Sequence, residues 1–514
     1  MLWLLCMDGY DPMVLRLTAA VDFLRGSRHR RAMWNDLPSL SAQSTILLLA
    51  SLTVGACPGD VPRASKPQLT LAAESLASRL ATGARHTCLL NASGNVLCWG
   101  ENVQGQLGTP QAGNRSKCKG EDYLEEVEFP GRCANAPTMI EDLNDVTSLA
   151  AGSEHTCALK KDGTVWCWGS NWFGALGIGR DGPETCENRA CARTPQKVAG
   201  IQALALAAGG ENTCVIRADG GVSCWGQAGL GVLGEQPTDG LEKCTVTNEA
   251  CSRKPLALKT LGNVVALAVG GMNACALASD GRVLCWGHAT YGAVGVDPSS
   301  GVACAAHDAL VCQYSPQVVR LADTSEVRAT AIAMGFERTC ALNPTGEVLC
   351  WGRNDGGQLG APLDDTLCGK DFLEVGCRWT PAPVWNLSRA LKLFSGASCA
   401  EVQGGELLCW GPAESGQLGV RNAPARCQIN GTERLPCARS AVRVELPARI
   451  SDLASSASHA CALDDSNRLF CWGSNSSGQI GEMADQELCT IIQPDQREPC
   501  VRLPYAVQAG KGEK

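Results

Sequence analysis

Residues 155–177 read HTCALKKDGTVWCWGSNWFGALG, and this stretch decides the fold because it recurs. Cys157 and Cys167 stand ten positions apart. The same spacing separates Cys88 and Cys98, Cys214 and Cys224, Cys275 and Cys285, Cys340 and Cys350, Cys399 and Cys409, and Cys461 and Cys471. Each second cysteine is followed by Trp-Gly, from Trp99 through Trp168, Trp225, Trp286, Trp351 and Trp410 to Trp472. A G-x-[LVI]-G tail closes each copy, its last glycine nine residues after the Trp, from Gly108 to Gly481. Seven in-phase copies make a repeat architecture, not a single site.

Within each copy the chemistry reads as a β-hairpin. Asp162-Gly163, Asp219-Gly220 and Asp280-Gly281 sit between apolar runs, a strong hairpin signal. A three-residue loop pairs Lys160 with Thr164 and so sets Cys157 opposite Cys167, within disulfide reach. Val165 and Cys167 point to one face, Trp166 and Trp168 to the other, so the sheet is covered on both sides. Small-residue strands such as SLAAG (148–152) and ALAVGG (266–271) precede the hairpins and suit crowding near a central axis. A Pro-containing strand follows each copy, as in CARTPQKV (191–198) and CVRLPYAV (500–507). The expected fold is all-β: a single seven-bladed β-propeller of roughly four strands per blade. Its ring is expected to close by pairing of the C-terminal strand with the N-terminal blade.

The pattern H-T-C-A-L…D-G-x-V-x-C-W-G-x-N-x-x-G-Q-L-G resembles the regulator of chromosome condensation repeat. HTCLLNASGNVLCWGENVQGQLG (86–108) and CWGSNSSGQIG (471–481) carry it most clearly. The resemblance spans about residues 75–508, and its cysteine-bearing variety is similar to the secreted bacterial branch of that family. It implies a binding propeller, or, as in the family's namesake, guanine-nucleotide exchange. Exchange needs a cytosolic or nuclear GTPase, which sits poorly with the compartment read below.

Thirty cysteines are far too many for a reduced cytosolic protein without metal. Seven hairpin pairs take fourteen. Seven pairs in the inserts after each G-x-[LVI]-G take fourteen more. They are Cys118 and Cys133, Cys186 and Cys191, Cys244 and Cys251, Cys304 and Cys312, Cys368 and Cys377, Cys427 and Cys437, and Cys489 and Cys500. Connectivity is not fixed by sequence, and pairing in order is the simplest choice. Zinc is the rival, disfavoured by the missing C-x-x-C spacing and by only six histidines. Cys6 and Cys57 are left over.

Cys57 ends ILLLASLTVGAC (46–57), too short to span a bilayer but apt for a signal-peptide core. Val54-Gly55-Ala56-Cys57 resembles a bacterial lipobox, with Val for the favoured Leu. Cleavage there would make Cys57 a lipidation site and the only membrane attachment; the alternative is ordinary secretion. The expected organisation is a leader at 1–57, its early part a misassigned start with Met13 or Met33 as candidates, then a tether at 58–74. The propeller follows at 75–508, with a disordered tail at 509–514.

The net charge of −8 lacks the basic stripe of a nucleic-acid binder. Six of the seven inserts are net negative, which predicts an acidic rim on one face, as solvated surface or as a steering field for a basic partner. No catalytic motif accompanies it: there is no P-loop, G-x-S-x-G, H-E-x-x-H or EF-hand loop. His86, His155 and His459 share one repeat position that elsewhere holds Asn212, Asn273, Arg338 or Ala397, which reads as a local turn or packing role. No catalytic residue, metal or cofactor is expected. The expectation is a monomeric, non-catalytic module at the bacterial cell envelope or outside the cell, binding a protein through aromatics special to single copies. These are Tyr123, Phe129, Trp172, Phe173, Tyr291 and Trp379. The alternative is an enzyme or glycan-binding protein using the axial pocket.

Overall fold

The computed structural model describes residues 78–507, apart from 111–131, 238–240, 245–248, 363–365, 370–373, 395, 397, 429–433, 483–486 and 491–496. The leader, the tether, the tail, Cys6, Cys57, Cys118, Tyr123 and Phe129 therefore lie outside the described residues. Seven antiparallel sheets follow one another along the chain and close a ring. Blade 2 is representative. Its innermost strand Val146–Ala151 pairs with His155–Lys160, which pairs with Val165–Ser170, which pairs with Arg189–Lys197.

Among the described residues, six blades carry a fifth, outermost strand, such as Glu184–Cys186 or Val302–Cys304. The expected four strands are thus exceeded, because the insert forms a hairpin with the long fourth strand and covers what would be a free edge. Cysteines tie these added strands down: Cys186–Cys191, Cys304–Cys312, Cys368–Cys377, Cys427–Cys437 and Cys489–Cys500. In blade 3, Cys244–Cys251 does the same beside Glu242–Lys243. Cys133 is also disulfide-bonded.

The hairpin cysteines face each other in register in every blade and are joined there. Cys157 bonds to Cys167 with Cα atoms 4.1 Å apart. Cys88 bonds to Cys98 and Cys461 to Cys471 in the two blades that flank the closure. In the blades between, Cys214 bonds to Cys224, Cys275 to Cys285, Cys340 to Cys350 and Cys399 to Cys409. The 4.1 Å separation, common to all seven, belongs to the close, non-hydrogen-bonded type of cross-strand pair.

The two apolar faces of the sheet then have distinct tasks. The Cys157–Cys167 face of blade 2 packs against Trp225 of blade 3, together with Leu159, Val165, Leu176 and Leu206. The same pairing of hairpin cysteines with the next blade's Trp recurs at every interface, from Cys88 and Cys98 against Trp168 to Cys461 and Cys471 against Trp99. The core is therefore seven radial layers of disulfide and indole.

The glycine after each Trp is a matter of space. Gly169 has φ 100°, and a Cβ there would sit 2.5 Å from the Glu154 carbonyl oxygen and 2.8 Å from the His155 Cα. Only glycine lets the third strand run this close to the second, at the point where its pairing with the fourth strand shifts register.

The ring closes where the C-terminal strand meets the N-terminal blade, and the contact there is one of packing. The strand Arg497–Val507 places its ladder hydrogen bonds on Leu469–Ser474 of its own blade. The first repeat has its own Pro-containing strand, Cys133–Met139, so it needs no strand from the other end, and all seven blades are contiguous in sequence. Val501 and Val507 of the last strand are set against the layer of Leu80, Leu89 and Trp99. Asp452 supplies several of the seam's hydrogen bonds: its Oδ2 accepts from the backbone N–H of Arg79 (2.7 Å) and Leu80 (3.2 Å) and from the Ser78 hydroxyl (3.3 Å). We expect Asp452→Ala to lower stability by about 1–3 kcal/mol, the cost of leaving half-buried donors unmade. Limited proteolysis should then cut first within 78–90; unchanged denaturation and cleavage would refute this role for the seam.

Candidate functional site

The turn between the innermost and second strands and the end of the third strand lie on one face of each blade, and the inserts leave from that face. Two kinds of side chain collect there.

The first kind links blades. His155 Nε2 lies 2.9 Å from the Thr213 hydroxyl of blade 3, which donates to the Ala175 carbonyl of blade 2 at 3.1 Å. His86 reaches Thr156 in the same way (2.8 Å), and His459 reaches Thr87 across the seam (2.9 Å). Because each Thr hydrogen is spent on a carbonyl, the imidazole must donate from Nε2 and hold Nδ1 unprotonated. Burial enforces that state, lowering His86 and His459 to about 3 and His155 to about 4. Room for the ring comes from Gly83 and Gly152, where a Cβ would overlap the imidazoles of His86 and His155. Of the turn and packing roles, packing dominates, although Ser456 also holds His459 Nδ1 within its own turn (2.9 Å): the histidines latch blade 7 to 1, 1 to 2 and 2 to 3. The tryptophans add to the latch, Trp168 Nε1 donating to the Gln106 carbonyl (2.9 Å) and Trp225 Nε1 to Ala175 (2.8 Å).

The second kind forms an open cleft of about 200 Å³ between blades 2 and 3, lined by Glu154, Trp172, Phe173, Arg189, Glu211 and Glu249. Glu154 and Glu211 occupy the same repeat position, just before His155 and Asn212, so the propeller geometry sets them side by side. The Arg189 guanidinium lies 3.9 Å from the Trp172 ring centroid and 3.4 Å from Glu154 Oε2. Trp172 and Phe173 are half-buried, their ring centroids 6.3 Å apart. Glu249 accepts from Gln227 Nε2 at 3.1 Å. Glu211 Oε2 and Trp172 Nε1 are buried without a hydrogen-bond partner. Burial, and then the charge of Glu154, push the Glu211 carboxyl up to about 7, against the pull of Arg189. Among the described residues no three His, Cys, Asp or Glu side chains are placed to hold a metal ion.

The aromatics singled out in the sequence therefore separate. Trp172 and Phe173 line the cleft. Tyr291 and Trp379 pack together with Cys368 and Cys377 at the blade 4–blade 5 boundary, and Tyr291 is buried. Arg353 beside Tyr291 is held by Glu337 (2.8 Å) and Asp355 (2.7 Å), so that cluster's charges answer one another. Glu154, Arg189 and Glu211 are not among the contacts expected from the sequence. Their signal is nonetheless there, because two acidic residues share one repeat position in adjacent copies.

Models of the regulator of chromosome condensation (RCC1) repeat match residues 78–106, 146–174, 264–293, 329–358 and 450–479, and also 93–159 and 162–216. The chain is 26% identical over 430 residues to the ultraviolet-B receptor UVR8 of Arabidopsis thaliana, covering 80% of this chain and 81% of that protein. It is 23% identical over 418 residues to the secretion-regulating guanine nucleotide exchange factor of Mus musculus, covering 79% and 80%. The structure of yeast RCC1 (Prp20) bound to Kap60 matches with TM-score 0.60 and 19% identity, over 88% of this chain and 91% of that one, a likeness of fold.

Proposed function

Starting from a chain built of regulator of chromosome condensation (RCC1) repeats, we propose that this protein is an exported, disulfide-stabilised propeller that binds a protein partner without catalysing a reaction. The partner meets the insert face, in the cell envelope or outside the cell. The observation that carries this reading is the cleft on that face, where half-buried aromatics adjoin carboxylates among net-negative inserts. Aromatic anchors beside a polar rim are the usual make-up of a protein-binding surface. The compartment rests on the cysteines: thirteen disulfides join described residues, a density that belongs to oxidising surroundings. Export through the lipobox-like end at Cys57 and its lipidation belong to the same proposal.

The test is capture from an envelope extract by the oxidised chain at low and moderate salt. A parallel bait carries Asn and Gln in place of Asp and Glu in inserts 361–377 and 482–500. One dominant partner, lost from the neutralised bait or released by salt, is the expected result. Capture of nothing at either salt overturns the reading.

A further inference from the structure

The cleft between blades 2 and 3 has chemistry more specific than a sticky surface. Three carboxylates, Glu154, Glu211 and Glu249, line it against one cation, Arg189. That cation shows how the site treats its class: a guanidinium lies against the indole of Trp172 with a carboxylate at its edge. The indole N–H of Trp172 and Oε2 of Glu211 are both buried and unpartnered. Such groups are costly to leave unmade, and both residues line the cleft. A ligand that donates to Glu211 and offsets its charge supplies what the fold withholds. A neutral hydroxyl would supply the hydrogen bond but not the charge.

We propose that this cleft binds a basic side chain, arginine or lysine, presented by the partner protein, with Glu211 as its acceptor and Trp172 and Phe173 as its walls. This rests on the protein-binding reading and specifies the chemistry of the contact. The arrangement also makes recognition proton-coupled. Glu211 faces Glu154 and Arg189 from blade 2 and shares the cleft with Glu249, and its carboxyl titrates near neutrality. A cation selects the ionised form, so binding weakens as pH falls through that range.

The probe is acetyl-Gly-Arg-Gly-amide, titrated into the oxidised full chain by calorimetry beside its citrulline counterpart, which has similar shape and no charge. The arginine peptide is expected to bind at least about tenfold more tightly than the citrulline peptide, and about tenfold more weakly at pH 6 than at pH 8. Glu211→Gln, which keeps the size of the side chain, should lose the preference for charge and flatten the pH profile. Its thermal midpoint at pH 7.5 should match that of the parent, showing that the fold is intact. Equal binding of the two peptides, or a Glu211→Gln chain with undiminished affinity, overturns the proposal, as does binding of a neutral oligosaccharide in place of the peptides. Capture of an envelope partner equally by Glu211→Gln and parent chains would sink this cleft assignment and leave the propeller as a binding module elsewhere on its surface.

Discussion

Full reduction is expected to abolish the native fold, while reductant alone should leave the folded protein almost untouched. Each hairpin bond, such as Cys157–Cys167, closes a loop of sequence separation 10. Such a loop nominally contributes about 2–3 kcal/mol by restricting the unfolded chain. The contributions are not strictly additive, but thirteen bonds joining described residues far outweigh the 5–15 kcal/mol by which domains are typically stable. The hairpin cysteines are at most 5% exposed and also fill the inter-blade layers, so a blade that loses its bond loses packing against the next indole as well. Access for a thiolate therefore requires that the blade open first. Dithiothreitol without denaturant, followed by alkylation and mass measurement, should label few of these cysteines; the same treatment in guanidinium should label all of them. After removal of denaturant under reducing conditions the chain should lack the native near-ultraviolet signal of its buried tryptophans. A reduced chain that regains that signal and unfolds at the oxidised midpoint would show that the bonds are incidental.

What can be read from the sequence follows from what is local to one copy. Cys157 and Cys167 oppose each other because a three-residue turn and a period of two set them there, and the ten-residue spacing favours the same turn in the other six hairpins. The seven blades follow by counting. Features that depend on the relation between copies are harder to see. His155 reads as a local turn or packing residue because its own copy offers it no partner; its partner is Thr213, one repeat later. Compared with an offset of one copy, the pattern is present: His86 precedes Thr156 and His459 wraps round to Thr87, whereas Asn212 faces a blade that carries Ala274 in place of the threonine. The form of the closure is obscured for a similar reason. The first repeat opens at SRLATGARHTC (78–88) with no Pro-containing strand ahead of it, so the sequence points to a strand lent by the other end of the chain, where the structure has packing. Trp172 and Phe173 stand out as aromatics special to one copy, but Glu211 comes from the neighbouring blade, and only the fold places it in their cleft.

The His–Thr latch makes mild acid the second large perturbation. The unfolded chain takes up a proton on each histidine near pH 6.5, whereas folded His86, His155 and His459 resist until about pH 3–4. Between these values the unfolded state binds more protons, so stability is complete above about pH 6.5 and is lost as pH falls toward 4. At pH 5 the loss is about 2 kcal/mol per histidine. His288, buried and lowered to about 4, adds a fourth group of the same sign. Glu211 works the other way, since its folded carboxyl is raised to about 7 and its proton favours the folded state below that, cancelling roughly one histidine. Glu337 and Glu414 are raised by burial and act in the same direction as Glu211. The net slope alone is therefore ambiguous, and a single substitution isolates the latch. His155→Gln retains a donor toward Thr213 but cannot titrate. It should cost about 1 kcal/mol at pH 7.5, the worth of one imperfectly replaced hydrogen bond. Between pH 7.5 and pH 5 it should lose about 2 kcal/mol less than the parent, as read from urea midpoints. A variant with the parent's full acid sensitivity would mean that His155 charges freely in the folded ring, which its burial against Gly152 and Thr213 does not allow.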